Sequence, residues 1–151
     1  MFKLETNFNE NKIHQYIEKR IEQRIAEIIE FLRVKGIEYT TKARTKVLAE
    51  NPYTNRTFNL VSSVGFAIVR KSVVLESYFP LLKTGTEGQK KGELTAEKAA
   101  KDYSGSDDVA LVLVAGEDYA SYVQDNHDFD VTKMASIAFA NNLRSLWRGK
   151  E

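Results

Sequence analysis

Between Asn9 and Val34 an aliphatic side chain returns every three or four positions, at Ile13, Ile17, Ile21, Ile25, Ile28 and Leu32. That interval matches the 3.6-residue helical turn, so the spacing predicts a long amphipathic helix over residues 9–35. Glu18, Lys19, Glu22, Gln23, Arg24, Glu27 and Glu30 fall opposite the stripe, several of them placed for helical ion pairs, and Gly36 reads as the stop. Ile29 and Phe31 widen the stripe beyond a narrow seam. A helix so broad has two surfaces to cover, one against its own sheet and one against another subunit.

The remaining segments supply the sheet. Residues 38–50 read as a short helix carrying Lys42, Arg44 and Lys46, ended by Asn51-Pro52, because a residue before proline avoids the helical region. The β-forming run from Phe58 to Val69 places Leu60, Ser62, Val64, Phe66 and Ile68 on one face. Beyond Arg70-Lys71-Ser72, Val73 to Phe79 reads as its antiparallel partner, stopped by Pro80, so residues 58–79 form a β-hairpin. Residues 81–106 carry glycines at 85, 88, 92 and 105 and read as an exposed excursion, with a short helix from Thr95 to Tyr103 turning Ala96, Ala99 and Ala100 inward. The nearly unbroken apolar run at 107–115 suits a central strand covered on both faces. Gly116-Glu117-Asp118 turns the chain, and Asp130 or Thr132 caps a helix over 131–148 whose inner face is Met134, Ile137, Ala138, Leu143, Leu146 and Trp147. At 151 residues this is one domain. The expected fold is α+β: a long N-terminal and a C-terminal helix packed on one side of a small, mainly antiparallel sheet, with a long inserted loop or helix.

Reactive chemistry is sparse. The chain has no cysteine, which excludes disulfides, thiolate metal sites and cysteine nucleophiles. Its 22 basic and 21 acidic residues leave a net charge of +1, so no global field draws it to nucleic acid or to an anionic membrane. Met1 to Asn7 lacks the apolar region of a secretory signal and no apolar run is long enough to span a bilayer, so the chain is expected to stay in the cytoplasm while it is made. Histidine, the usual proton shuttle, occurs only as His14, in the polar first turn of the long helix, and His127. Asp125, His127, Asp128 and Asp130 gather oxygen and imidazole ligands, but match no EF-hand loop and precede a helix, where acids cap free amides. Gly85 to Gly92 departs from a phosphate loop because Gln89, not lysine, follows Gly88. Lys19, Arg20, Arg24, Arg33, Lys35, Lys42, Arg44 and Lys46 make a candidate basic patch, interleaved with glutamates that argue for ion pairs. Tyr119 and Tyr122 are candidates for stacking or for half-buried packing.

Two motifs carry a resemblance. Asn59-Leu60-Val61-Ser62-Ser63-Val64-Gly65 resembles the segment that opens the first strand after the N-terminal helix in small tailed-phage proteins called tail-completion, neck or minor head–tail joining proteins. Val112-Leu113-Val114-Ala115-Gly116-Glu117-Asp118-Tyr119-Ala120-Ser121-Tyr122-Val123 is similar to that family's apolar strand, glycine turn and tyrosine-containing segment, and Gly88 to Tyr103 to its inserted helix. Phe58 stands where the family pattern has glycine. The resemblance implies a non-catalytic subunit with no cofactor, forming a ring of about six or twelve copies between portal and tail. Such a protein is assembled in the host cytoplasm, resides in the virion neck and contacts portal, neck or tail proteins, with DNA passing through the lumen.

Asn59, Leu60, Ser62, Ser63 and Gly116 carry the family-like motif. The candidate subunit interface is Ile17, Ile21, Arg24, Ile28 and Phe31 on the helix with Tyr119, Tyr122 and Val123 beyond the last strand, and the candidate partner-contact loop holds Thr84, Gly85, Lys90 and Lys91. Removal of residues 84–92 is expected, on this reading, to spare the fold and abolish assembly. The rivals are a nucleic-acid-binding module on the basic residues of the first helix and a metal-dependent hydrolase at Asp125, His127, Asp128 and Asp130.

Overall fold

The first helix outruns its predicted end. In the computed structural model, which describes residues 9–50, 57–103 and 108–117, helix α1 runs unbroken over Glu10–Glu50, 41 residues and about 60 Å long. Gly36 does not stop it, and the short helix expected at 38–50 is its second half. Leu32, Gly36, Tyr39, Thr40, Ala43 and Val47 are all buried. Burial at helical spacing therefore continues straight through the glycine and outweighs its conformational cost of about 1 kcal/mol. Glycine is present for close approach, since a Cβ there would lie 2.9 Å from the Phe66 ring.

Residues 59–63, expected as the start of a strand, instead form a short helix α2 (Asn59–Ser63). Phe58 enters it in the left-handed conformation, φ 56°. The Ser62 amide then donates to the Phe58 carbonyl at 3.1 Å and the Ser63 hydroxyl to the Leu60 carbonyl at 2.8 Å. Serine side chains offering such local bonds favour a turn over an extended ladder. Strand β1 (Val64–Arg70) follows and pairs antiparallel with β2 (Val73–Tyr78), from Phe66 opposite Tyr78 to Arg70 opposite Val73. Lys71 and Ser72 close this hairpin with φ of 51° and 62°, the two-residue turn that follows the twist of the strands.

Strand β3 (Ala110–Ala115) pairs antiparallel with the other edge of β1, giving the order β2-β1-β3. The middle of the described sheet is thus β1, not the apolar run at 107–115. That run is continuous because both faces of the sheet are covered. Leu111 and Leu113 join Phe66, Ile68, Ile29 and Leu32 under α1, whereas Val112 and Val114 join Ala67, Val69 and Phe79 on the opposite face. The cover on that second face is α3 (Thr86–Asp102), in the segment expected to be an exposed excursion. The fold is α+β as expected, but α1 and α3 lie on opposite faces of the sheet; residues 131–148 and Asn51-Pro52 lie outside the described residues.

Helix α3 is a packed element because of its small residues. Gly88, Gly92, Ala96 and Ala100, spaced by one turn, are its buried positions. At Gly92 a Cβ would stand 2.6 Å from the Phe79 ring and 2.8 Å from the Ser63 carbonyl oxygen; at Gly88 it would strike the Asn59 backbone. Gly92→Ala is therefore expected to cost about 1–3 kcal/mol in urea unfolding, while exposed Lys90→Ala stays within about 0.5 kcal/mol. Deleting residues 84–92 removes the first seven of the 17 residues of α3, Gly88 and Gly92 among them, and is expected to abolish cooperative unfolding rather than leave the fold intact.

Candidate subunit interface on the projecting half of α1

Every residue of α1 from Glu10 to Arg24 is exposed, and the first fully buried one is Leu32. At 1.5 Å per residue this free stretch is about 22 Å long. No described residue covers its apolar stripe: Tyr16 is 66% accessible, Ile17 47% and Ile21 53%. Tyr16, Ile17, Arg20, Ile21, Arg24 and Ile25 line a shallow groove along it. Nearer the sheet the stripe splits. Ile29 and Leu32 pack on Phe66 and Ile68, while Ile28, Phe31, Val34 and Ile37 stay exposed. Ile17, Ile21, Arg24, Ile28 and Phe31 share the side of α1 turned away from the sheet.

The basic residues on and below this half are largely engaged. Arg24 pairs with Glu27. Arg33 reaches from α1 to β2, where its Nε donates to Glu76 at 2.7 Å and a second nitrogen bonds the same carboxylate, and it also pairs with Glu30. The Arg33 bond holds the Glu76 carboxyl below its ordinary range. Lys35 and Lys42 both donate to Glu38 at 2.8 Å, and these bonds pull its carboxyl down to about 2. Arg44 is turned onto the Val61 and Val64 carbonyls at the end of α2, and burial lowers its pKa. Five of the eight candidate phosphate-binding side chains therefore have intramolecular partners. The interleaved glutamates were the sequence signal for this.

A second group of sequence candidates converges where α2, α3 and the end of β3 meet. Asn59 accepts the Gly88 amide at 3.3 Å, Ser62 accepts the Leu82 amide at 3.0 Å, and Ser63 accepts the Glu117 amide at 3.3 Å. Leu60 is core, and Gly116, pressed against the Gly92 backbone, donates its amide to the Ser63 carbonyl at 3.2 Å. Thr84, exposed at the surface, donates to the Thr57 carbonyl at 3.1 Å, and buried Gly85 packs on Ser62 and Phe58. Lys91 pairs at 2.9 Å with Glu117, which is only 5% exposed, and of the four loop candidates Lys90 projects from the surface of α3. Sequence reasoning missed the structural part of Glu117; its one signal was an acid directly after a glycine at a strand end.

His14 lies on the exposed part of α1. Tyr119, Tyr122, Val123 and the cluster Asp125, His127, Asp128 and Asp130 lie outside the described residues. Among the described residues no group of three or more histidine or acidic side chains is placed to hold a metal ion, and no helix is long and apolar enough to cross a membrane. No family model matches the chain, and neither curated proteins nor solved structures give a match.

The Glu38 pairs fix a pH dependence. A carboxyl depressed from 4.5 to about 2 stabilises the fold above the unfolded value, and that contribution is lost as pH falls toward 2. Glu38→Gln is thus expected to melt slightly below the parent at pH 7, with the two melting curves converging between about pH 4.5 and 2. Thermal unfolding followed by circular dichroism across that range checks this.

Proposed function

We propose that this chain is a non-enzymatic assembly subunit, a ring-forming component of the head–tail connector of a tailed phage that joins portal to tail. One observation carries the assembly reading: the exposed row of Ile13, Ile17 and Ile21 on the stretch of α1 that no described residue packs against. Apolar surface of this kind is stabilised only when another surface removes it from water. The phage assignment rests on the resemblance, and the geometry at Phe58 supports that reading. The position that carries glycine in the family pattern has φ 56°, the left-handed region in which glycine is unstrained. Asn59, Ser62, Ser63 and Gly116 each hold the α2–α3–β3 junction, a physical reason for a motif of those residue types.

In this proposal copies associate through the projecting half of α1, the ring occupies the virion neck with neighbouring portal or tail proteins above and below, and DNA passes through its lumen. The nucleic-acid-binding alternative draws less support, because Arg24, Arg33, Lys35, Lys42 and Arg44 are engaged within the chain.

Light scattering of the purified protein tests the reading. The parent is expected to form oligomers, visible as rings by negative stain, and Ile17→Gln with Ile21→Gln is expected to reduce it to monomer. Both positions are about half exposed, so unfolding free energy should move by less than about 1 kcal/mol. A double variant that assembles like the parent would refute the role of this face.

A further inference from the structure

Strand β2 is a bare sheet edge. Among the described residues it pairs only with β1, and Val73, Leu75 and Tyr78 on it are 57%, 43% and 36% exposed. Such edges are commonly guarded by lysine, proline or an unpaired charge. Within β2 there is no lysine or proline, and the one charge, Glu76, is occupied by Arg33. A single bulge between the pairs at Ile68 and Val69 is the only irregularity in its ladder. The surface beside the edge is apolar as well. Tyr78 stacks on Phe66 with ring centroids 5.6 Å apart, which puts it in the layer under α1. Ile37 lies one turn beyond Arg33, hence on the flank of α1 that faces β2, and is 39% exposed.

We propose that this edge accepts residues 2–8 of a neighbouring copy as an added strand. The inference rests on the assembly reading above and adds a second contact, made by different residues on both sides. Residues 1–8 lie outside the described residues, but their order and reach are fixed by the chain. In Phe2-Lys3-Leu4-Glu5-Thr6-Asn7-Phe8 the apolar Phe2, Leu4 and Phe8 alternate with Lys3, Glu5 and Asn7, the two-residue period of a strand with one apolar face. A strand added to an open edge supplies main-chain hydrogen bonds, and its alternate side chains cover the surface beside it, here Tyr78, Val73 and Ile37. Reach excludes the same chain. Phe8 stays within about 7 Å of Glu10, because each residue extends a chain by at most about 3.6 Å. Arg33, which holds Glu76 in β2, is about 35 Å further along the unbroken helix at 1.5 Å per residue. The helix therefore carries residues 2–8 away from its own β2 and toward that of another subunit. Exchange of one element between identical subunits joins two unlike patches, as a ring requires.

Cross-linking and peptide binding test this contact apart from the helix face. Because the chain has no cysteine, a Leu4→Cys chain mixed with a Ser77→Cys chain carries one thiol on each side, and a short bis-maleimide is expected to join them as a mixed dimer. One chain carrying both substitutions, diluted until it is monomeric, is expected to form no internal link. A fluorescent peptide of residues 2–8 is expected to bind a chain lacking residues 1–8, and a peptide of the same composition with its alternation scrambled is not. In that shortened chain Leu75→Lys, and separately Val73→Lys, place a charge on the exposed edge and are expected to weaken peptide binding by roughly tenfold or more. Suppose Ile17→Gln with Ile21→Gln dissociates the parent. Strand addition is then overturned, and the assembly reading stands, if no mixed dimer forms, if the peptide fails to bind or if both lysine variants bind it unchanged. An internal link in the dilute double-cysteine chain also overturns it, by placing the segment on its own sheet. A parent that stays monomeric at high concentration overturns both.

Discussion

The architecture turns on how closely β1 is held between two helices. Val64 to Val69 are all buried, and alternate side chains face opposite layers: Phe66 and Ile68 toward α1, Ala67 and Val69 toward α3. On each side the approach is set by a helix position with no side chain. Gly36 admits the Phe66 ring on one face, and Gly92 admits the Phe79 ring on the other. Close packing of this kind has no slack, because an added methyl displaces a buried ring rather than solvent. Arg33 on Glu76 and Arg44 on the Val61 and Val64 carbonyls then tie α1 across β2 and to the end of α2.

The polar counterpart of that packing is the α2–α3–β3 junction. Three chain segments meet there without a regular ladder, and backbone groups in such a place must find partners or lose stability. Asn59, Ser62 and Ser63 provide them from one short helix, while Gly88, Gly92 and Gly116 let the backbones come within bonding distance. This explains why these six small or polar residues occur in motifs with no reactive chemistry. They connect elements that function then uses as a rigid base.

On that base, α1 is two helices in energetic terms. Its second half is bound to the sheet at Leu32, Gly36, Tyr39, Ala43 and Val47; its first stretch, from Glu10 to Arg24, buries no side chain, and Arg24 pairs with Glu27 on the same helix. The bound half sets the direction in which the exposed stretch leaves the sheet. An exposed apolar row on such a stretch suits repetition of one subunit, the role proposed here.

The sequence by itself determined the helical face from Ile13 to Leu32, the hairpin between β1 and β2, the two-sided burial of the run at 107–115 and the ion pairing of the basic residues. Each of these is a local periodicity or a short-range charge spacing. It did not determine that Gly36 lies inside a helix, that residues 59–63 turn before the strand begins, or that the glycines at 88 and 92 belong to a buried helix rather than an exposed loop. In each case a glycine or serine has the same local preference in a loop and in a tight contact, and only the neighbour decides between them. Gly88, Gly92, Ala96 and Ala100 recur at the helical interval, yet that interval says nothing of burial until Phe79 and Asn59 stand opposite. Strand order is likewise silent in the chain: an apolar run shows that both faces are covered, but hydrogen bonding at its edges is set by β1, and so the middle position was decided only by tertiary structure.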